Sequence, residues 1–267
     1  MSDLARLATH LDGLGRVLLG YSGGVDSALL AVVGARALGP DRFLAVLGVS
    51  ASLPLEMGRR AAELAGSFSV PLLEITTHEL EDPRYAANPV NRCYFCKTEL
   101  WDRLGAIAAE RGFDTIVDGS HADDAGDHRP GARAASERAI RSPLAELGWR
   151  KADVRAAARE LGLPVWDAPA APCLASRIQY GLEVTSDRLG QVEQGEGFLR
   201  SLGITGDLRV RHHGSSARIE VEPTWFATLE AEWSEVERAF GSFGFERVER
   251  DPRGYRRGSL LAILETA

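Results

Sequence analysis

Long apolar runs are missing from this chain. No stretch approaches the roughly 20 residues needed to span a bilayer, so no membrane partner is expected. Cysteine is scarce as well: three in 267 residues, an odd and small set that is unlike the disulfide framework of a secreted domain. The opening residues Met1-Ser2-Asp3-Leu4-Ala5-Arg6 lack a basic segment followed by an apolar one, and no secretory signal is readable. Positive charge is not in excess. Lys and Arg number 31 against 38 Asp and Glu, a formal net charge of −7, which removes the general basic footprint of a nucleic-acid binder while leaving a local patch open. No internal repeat or low-complexity tract stands out. With 45% hydrophobic and 26% charged residues, the composition is that of a soluble, cytoplasmic globular protein, long enough for one large domain or two modest ones.

What is present begins with Ser22-Gly23-Gly24-Val25-Asp26-Ser27, placed directly after the apolar run Val17–Tyr21 and before Ala28-Leu29-Leu30-Ala31-Val32-Val33. A buried strand running through a glycine pair into an apolar helix gathers backbone N–H groups, two hydroxyls and a helix N-terminus around one point, which is a phosphate site. Gly23 and Gly24 allow close approach to an anion, Ser22 and Ser27 offer hydroxyl donors, and Asp26 is a candidate indirect holder of Mg²⁺. The spacing is not the Walker pattern, since no lysine follows to reach terminal phosphates, and it is not GxGxxG. An ordinary Gly-Gly turn is the plainer alternative. The six positions in this context instead resemble the PP-loop, SGGxDS, of the N-type ATP pyrophosphatases, which split ATP between its α and β phosphates.

Strand-like and helix-like segments alternate over the first two thirds of the chain. Strands are expected at Val17–Tyr21, Phe43–Val49, residues 72–75 and residues 115–118, with helices after the glycine loop, at Leu55–Ser67, at residues 96–111 and at residues 151–161. This rhythm predicts an α/β fold with a parallel sheet covered by helices on both faces and ligands at the carboxyl ends of the strands. Residues 119–131, rich in Gly, Asp and His, read as a loop over that edge. Residues 167–172, Asp-Ala-Pro-Ala-Ala-Pro, are the best hinge candidate, giving domains 1–172 and 173–267. Beyond Gly181 a polar helix at 185–202, strands at 208–211 and 217–221 joined by His212-His213-Gly214-Ser215-Ser216, a helix at 225–240 and a strand at 245–249 predict a small α+β unit.

Cys93-Tyr94-Phe95-Cys96 lies within Asn91-Arg92-Cys93-Tyr94-Phe95-Cys96-Lys97, and Cys173 within Pro172-Cys173-Leu174-Ala175-Ser176-Arg177-Ile178. A CxxC pair alone is redox-active, zinc-binding or structural. Taken together, SGGVDS, NRCYFCK, DGSHADD, PCLASRI followed by Gln-Tyr-Gly, and LRVRHHG resemble the LarE family over nearly the whole chain. The resemblance implies an ATP-dependent sulfur transferase acting in the biosynthesis of the nickel-pincer nucleotide of lactate racemase. Its substrate would be a small-molecule nucleotide, pyridinium-3,5-biscarboxylic acid mononucleotide, whose carboxylates become thiocarboxylates. It also implies a homo-oligomer, and either of two sulfur sources. In one, Cys173 gives up its own sulfur and becomes dehydroalanine. In the other, Cys93, Cys96 and Cys173 hold a [4Fe-4S] cluster that carries inorganic sulfide from an external donor. The three-cysteine pattern favours the second route, and a zinc site is the plainer competitor.

Arg209 and Arg211 alternate with Leu208 and Val210 and should project from one strand face. The resemblance assigns that guanidinium pair to the substrate's phosphate; an ordinary ion-paired face is the alternative. His212 and His213 read as turn residues, exposed or serving as phosphate donors. Asp118, Asp123 and Asp124 should face the nucleotide crevice as Mg²⁺ ligands, with a solvated loop the alternative for Asp124 and Asp127. Arg177 steadies a carboxylate or makes a structural salt bridge. The run Tyr255-Arg256-Arg257-Gly258-Ser259 suggests a surface contact. A tRNA thiolase and an ammonia-using synthetase share the PP-loop and compete as functions, as does an iron–sulfur or sulfide carrier with an inactive nucleotide fold. The acidic charge and the lack of an RNA module argue against the tRNA thiolase, and an ammonia-using synthetase does not require the three-cysteine set.

Overall fold

Strand Val17–Tyr21 (β1) alternates its side chains between two different cores. Val17, Leu19 and Tyr21 enter one apolar cluster while Leu18 enters another, and β2 (Phe43–Val49) repeats the pattern with Ala45 and Leu47 against Val46. A strand buried on both faces belongs to a parallel sheet covered on both sides. The computed structural model, which describes residues 3–124, 130–169 and 171–256, contains that sheet in the order β3-β2-β1-β4, with β3 at Leu72–Thr76 and β4 at Thr115–Val117. All three pairings are parallel. The predicted α/β class is therefore present.

The chain forms two compact units, residues 1–79 with 91–171 and residues 80–90 with 172–267. In the first, α1 (Asp3–Asp12), α2 (Val25–Leu38) and α3 (Leu55–Ser67) precede a short α4 (Pro83–Ala86) of the second unit. Then come α5 (Arg92–Arg111), α6 (Pro130–Ser136), α7 (Pro143–Glu146) and α8 (Lys151–Glu160). Helices α1, α2, α3 and α8 share one core, with Leu7, Leu11, Leu29, Leu64 and Val154, and α5 and α6 share the other, with Trp101, Leu104 and Ala134. Helix α2 is buried nearly all round, from Ala28 to Gly34, because it lies under two other helices as well as the sheet. Residues 119–131 are not all loop: α6 begins at Pro130, while Asp127 falls outside the described residues.

The second unit contains α9 (Ser186–Ser201), β5 (Leu208–His213), β6 (Ser216–Val221), α10 (Phe226–Ala231), α11 (Trp233–Ser242) and β7 (Arg247–Arg250). Its sheet order is β5-β6-β7, antiparallel then parallel. Leu208, Val210, Ile219, Val221, Leu229, Val236 and Phe240 make one core. The expected helix at 225–240 is broken at Glu232, which closes α10 and opens α11 with φ −99° and ψ 11°. Residues 80–90 join this unit through Asn88. Its buried Nδ2 donates to the carbonyls of Gln179 (2.8 Å) and Leu182 (2.9 Å), and Val184 N–H donates to Ala86 O.

Candidate active site

The loop between β1 and α2 has the geometry its residues demand. Gly23 takes φ +74°, and a Cβ there would stand 2.6 Å from that of Ala61, so conformation and space both require glycine. Ser27 is buried; its Oγ receives Ser22 N–H at 3.2 Å, pairs with Ser22 Oγ at 3.1 Å and donates to Gly24 O. Gly24 occupies the N-cap of α2 and supplies no capping side chain. The helix therefore opens onto the loop with its positive dipole end uncovered by a cap, as an anion site needs.

Because β2 and β3 lie to one side of β1 and β4 to the other, the sheet has its topological switch point between β1 and β4, where ligands of such folds bind. The loop after β4 meets the PP-loop there. A Cβ on Gly119 would lie 3.0 Å from Ser27 N and 3.2 Å from Asp26 Cβ, so any side chain there would crowd the meeting of the two segments. His121, nine-tenths buried, places Nε2 3.9 Å from Asp26 Oδ1 and Nδ1 3.7 Å from Asp124 Oδ2. Lys151 Nζ, from the first residue of α8, reaches both oxygens of Asp26 at 2.8 and 2.7 Å.

The expected acidic residues divide by role. Asp118 accepts from Ser120 N–H, Ser120 Oγ and Ser142 Oγ, and so shapes the loop after β4. Asp123 Oδ2 accepts the N–H of Lys151 at 2.8 Å and anchors α8. Asp124 accepts His121 N–H, and its side chain is only 14% exposed, which sets aside the solvated-loop reading for it. Lys151 was not singled out from the sequence, and Gly119 and His121 were read only as part of DGSHADD and its loop, with no role of their own.

Helix α5 begins four residues before the expected start, so Cys93 and Cys96 sit one turn apart at its N-terminal end, Cys93 exposed and Cys96 half-buried. Cys173 is half-buried at the N-cap of a short 3₁₀ turn, Leu174–Arg177. None of the three is in a disulfide. Among the described residues no group of three His, Cys, Asp or Glu stands together as a ready-made metal site. In kind, the two thiols of the CxxC pair, unoxidised and one helical turn apart, are ligands that an iron–sulfur group takes.

Arg177 proves to be a loop builder. Its guanidinium binds Glu196 at 2.9 and 3.1 Å and donates to the carbonyls of Pro172 and Cys173, fixing the backbone that carries Cys173. Arg209 and Arg211 lie on one face of β5, opposite Leu208 and Val210, and both are buried. Arg211 pairs with buried Glu220 at 2.8 Å and donates to Ser176 O. Arg209 donates to Leu208 O at 2.6 Å, but the Asp207 carboxylate is only at 3.9 Å and the ring of Tyr255 at 5.1 Å. Burial, and then the nearby charge of Arg177, pushes its pKa down, the condition of a cation short of an anion.

His212 and His213 belong to β5 rather than to a turn. His212 is 1% exposed, lies with its ring tilted against Phe245 and pairs Nε2 with Gln191 Oε1 at 2.7 Å; burial pushes its pKa down to about 4. His213 pairs Nδ1 with Gln179 Oε1, and burial lowers its pKa as well. Neither is an exposed turn histidine. At the end of the chain, Arg257, Gly258 and Ser259 lie outside the described residues. A cavity of about 530 Å³ beside α11 and β7, bordered by Glu237, Phe240, Arg247 and Glu249, holds none of the expected site residues.

The parallel sheet, the SGGVDS loop at its switch point and the uncapped start of α2 define an ATP-using protein of the PP-loop class. In agreement, the NAD synthase family profile matches residues 6–86, the part of the chain that carries β1, the loop and β3. The chain is 43% identical over 98% of its length to an uncharacterised protein of Synechocystis, covering 98% of that protein. It is 36% identical over 98% of its length to the pyridinium-3,5-bisthiocarboxylic acid mononucleotide synthase of Lactiplantibacillus plantarum, covering 95% of that enzyme. It is also 29% identical over 87% of its length to an uncharacterised protein of Methanocaldococcus jannaschii, covering 88% of it. The chain belongs to the LarE family of ATP-dependent sulfur transferases. Among the described residues, no helix is long and apolar enough to cross a membrane.

Proposed function

We propose that this enzyme adenylylates a carboxylate of pyridinium-3,5-biscarboxylic acid mononucleotide and replaces its oxygen with sulfur. A carboxylate carbon resists attack because the group is anionic and oxide is a poor leaving group. In the first step a carboxylate oxygen attacks the α-phosphorus of ATP, the α–β P–O bond breaks, and its electron pair departs with pyrophosphate. The N-terminal end of α2, Ser22 and Ser27 offset the charge that develops on the phosphates, and Asp26 is the carboxylate toward which Mg²⁺ is held. In the second step sulfur attacks the acyl carbon, the bond to AMP breaks, and a thiocarboxylate remains. Arg209 and Arg211 bind the substrate's phosphate, Arg209 foremost because it lacks a close carboxylate.

The sulfur comes through the cysteines. Cys93, Cys96 and Cys173 are the three thiolates that would hold a [4Fe-4S] cluster, and such a cluster, when bound, carries sulfide on its remaining iron. The observation that carries the reading is the pairing, within one unit, of an ATP-splitting loop with a CxxC pair on the first turn of α5. The relative whose name specifies this product adds to it. The domain division at 172/173, cytoplasmic location, homo-oligomeric assembly and an inorganic sulfide donor are part of the same proposal.

Pyrophosphate release is the test. It should require the biscarboxylate nucleotide and should not respond to tRNA or to ammonia with an acyl acceptor; release with ammonia would move the protein to the synthetases. Anaerobic iron and labile-sulfide analysis of the same preparation decides the sulfur source. If Cys173 instead loses the mass of H₂S on turnover, then its thiolate attacked the adenylate. Removal of its Cα proton would then have broken the Cβ–S bond, leaving dehydroalanine.

A further inference from the structure

The segment that carries Cys173 runs beside β5 and is tied to it at successive residues. Arg177 holds the front. Bound to Glu196, it donates to the carbonyls of Pro172 and Cys173, and Glu196 in turn accepts Val210 N–H at 3.2 Å. Arg211 donates to Ser176 O at 3.0 Å. Ile178 then pairs with His212 as a parallel bridge, and Gln179 N–H donates to His212 O at 3.1 Å.

The last tie joins two side chains. Gln179 Oε1 stands 2.7 Å from His213 Nδ1. An amide oxygen only accepts, so Nδ1 carries the proton and Nε2 keeps a bare lone pair. That nitrogen is buried and has no hydrogen-bond partner among the described residues. A second proton would find no acceptor there, and burial, then the charge of Arg218, lowers the pKa of His213. The imidazole is thus a neutral donor of fixed tautomer with one partner. Its unmet nitrogen offsets the bond it makes, so it adds little net stability. What it does is hold Gln179.

We propose that His213 is a positioning residue for sulfur delivery: through Gln179 it closes the rear of the Cys173 segment onto β5, as Arg177 closes the front. His213 lies one pleat beyond Arg211 and two beyond Arg209 on the same face of the strand. The side chain proposed to bind the substrate's phosphate and the one that anchors the cysteine segment therefore share one strand. That common base fixes the place of Cys173 relative to Arg209, which is what orientation of a nucleophile requires. His213 itself exchanges no proton with substrate. The inference rests on Cys173 being the sulfur-delivering residue and names what sets its place.

The test separates the anchor from the chemistry. In full-length, cluster-free protein without nucleotide, hydrogen exchange of residues 174–182 and iodoacetamide alkylation of each cysteine are followed by peptide mass spectrometry. His213→Ala should speed exchange in this segment and alkylation of Cys173 by roughly tenfold, the scale of one hydrogen bond. Cys93 and Cys96, in the other unit, should react as in the wild type. Gln179→Ala removes the same bond with less volume lost and should match it. His213→Asn keeps an N–H donor where Nδ1 stood and should restore most of the protection; His213→Gln, with its amide at the Nε2 end, should not. With ATP and the biscarboxylate nucleotide, His213→Ala should release pyrophosphate as the wild type does. It should also bind α,β-methylene-ATP, which cannot be cleaved at the α–β bond, equally well, yet give roughly tenfold less thiocarboxylate per pyrophosphate. Unchanged exchange and alkylation in both alanine variants would overturn the anchor, and faster alkylation of all three cysteines or an unchanged product ratio would overturn the positioning role. Failure of the sulfur reading shows separately, as a wild type that makes no thiocarboxylate.

Discussion

The two units treat charge in opposite ways. Around the PP-loop the Lys151–Asp26 ion pair is partly solvated, and the helix start carries no capping side chain. On the buried face of β5, Arg211 is matched by Glu220 and nearby Arg177 by Glu196, and both guanidinium groups are closed off from solvent. The first arrangement waits for a highly charged ligand. The second holds a loop and a strand in place, and leaves only Arg209 undercompensated. A guanidinium in a binding strand is thus not by itself a ligand contact, since its internal partner decides how much of its charge is on offer.

Breaking the saturated side should cost most. Arg211→Ala strands the Glu220 carboxylate in the interior, and the loss of one partner of a buried pair is worth about 3–5 kcal/mol. Denaturant unfolding should show it, and any weakening of substrate binding in this variant has to be read against that loss.

His212 gives the next effect. Its folded pKa, about 4, lies below the ordinary histidine value near 6.5, so the native state resists a proton that the unfolded chain accepts. The stabilisation is fully present above pH 6.5 and is lost as pH falls toward 4, by up to roughly 3 kcal/mol at 1.36 kcal/mol per pK unit. His212→Gln should flatten the fall in the urea midpoint across that window; an equally steep fall would place the titration elsewhere.

On the open side of the same strand, Arg209→Ala should change stability little and weaken the substrate nucleotide roughly tenfold, the scale of one charge-assisted contact. The affinity for α,β-methylene-ATP should be unaffected. Ser27→Ala should cost only about 1 kcal/mol of stability for its loop hydrogen bonds, with a clear loss of nucleotide affinity. A large stability loss there would mean that the PP-loop is as saturated as β5.

Local patterns made much of this legible in the sequence. β1, β2 and α3 fall at their expected residues because apolar runs, glycines and periodicity are short-range signals. Helix α1 was not expected, although the Leu4, Leu7 and Leu11 spacing carried such a signal, and Leu7 and Leu11 are buried. Lys151 was not legible, because its meeting with Asp26 is made by α8 packing on α2, far along the chain. The histidines were misplaced because the strand continues through them: Gln191 and Gln179 each pair one of their ring nitrogens, partners that no local reading supplies. The roles of Arg177 and Arg211 likewise depended on Glu196 and Glu220, which no motif marks.

The central claim is that the PP-loop activates a carboxylate and the cysteines then deliver sulfur, so the two steps should separate. Pyrophosphate and thiocarboxylate are quantified together for the wild type and for Cys173→Ser, with ATP and the biscarboxylate nucleotide. The account predicts both products from the wild type, and pyrophosphate without thiocarboxylate from Cys173→Ser. A Cys173→Ser protein that binds α,β-methylene-ATP normally yet releases no pyrophosphate would contradict it.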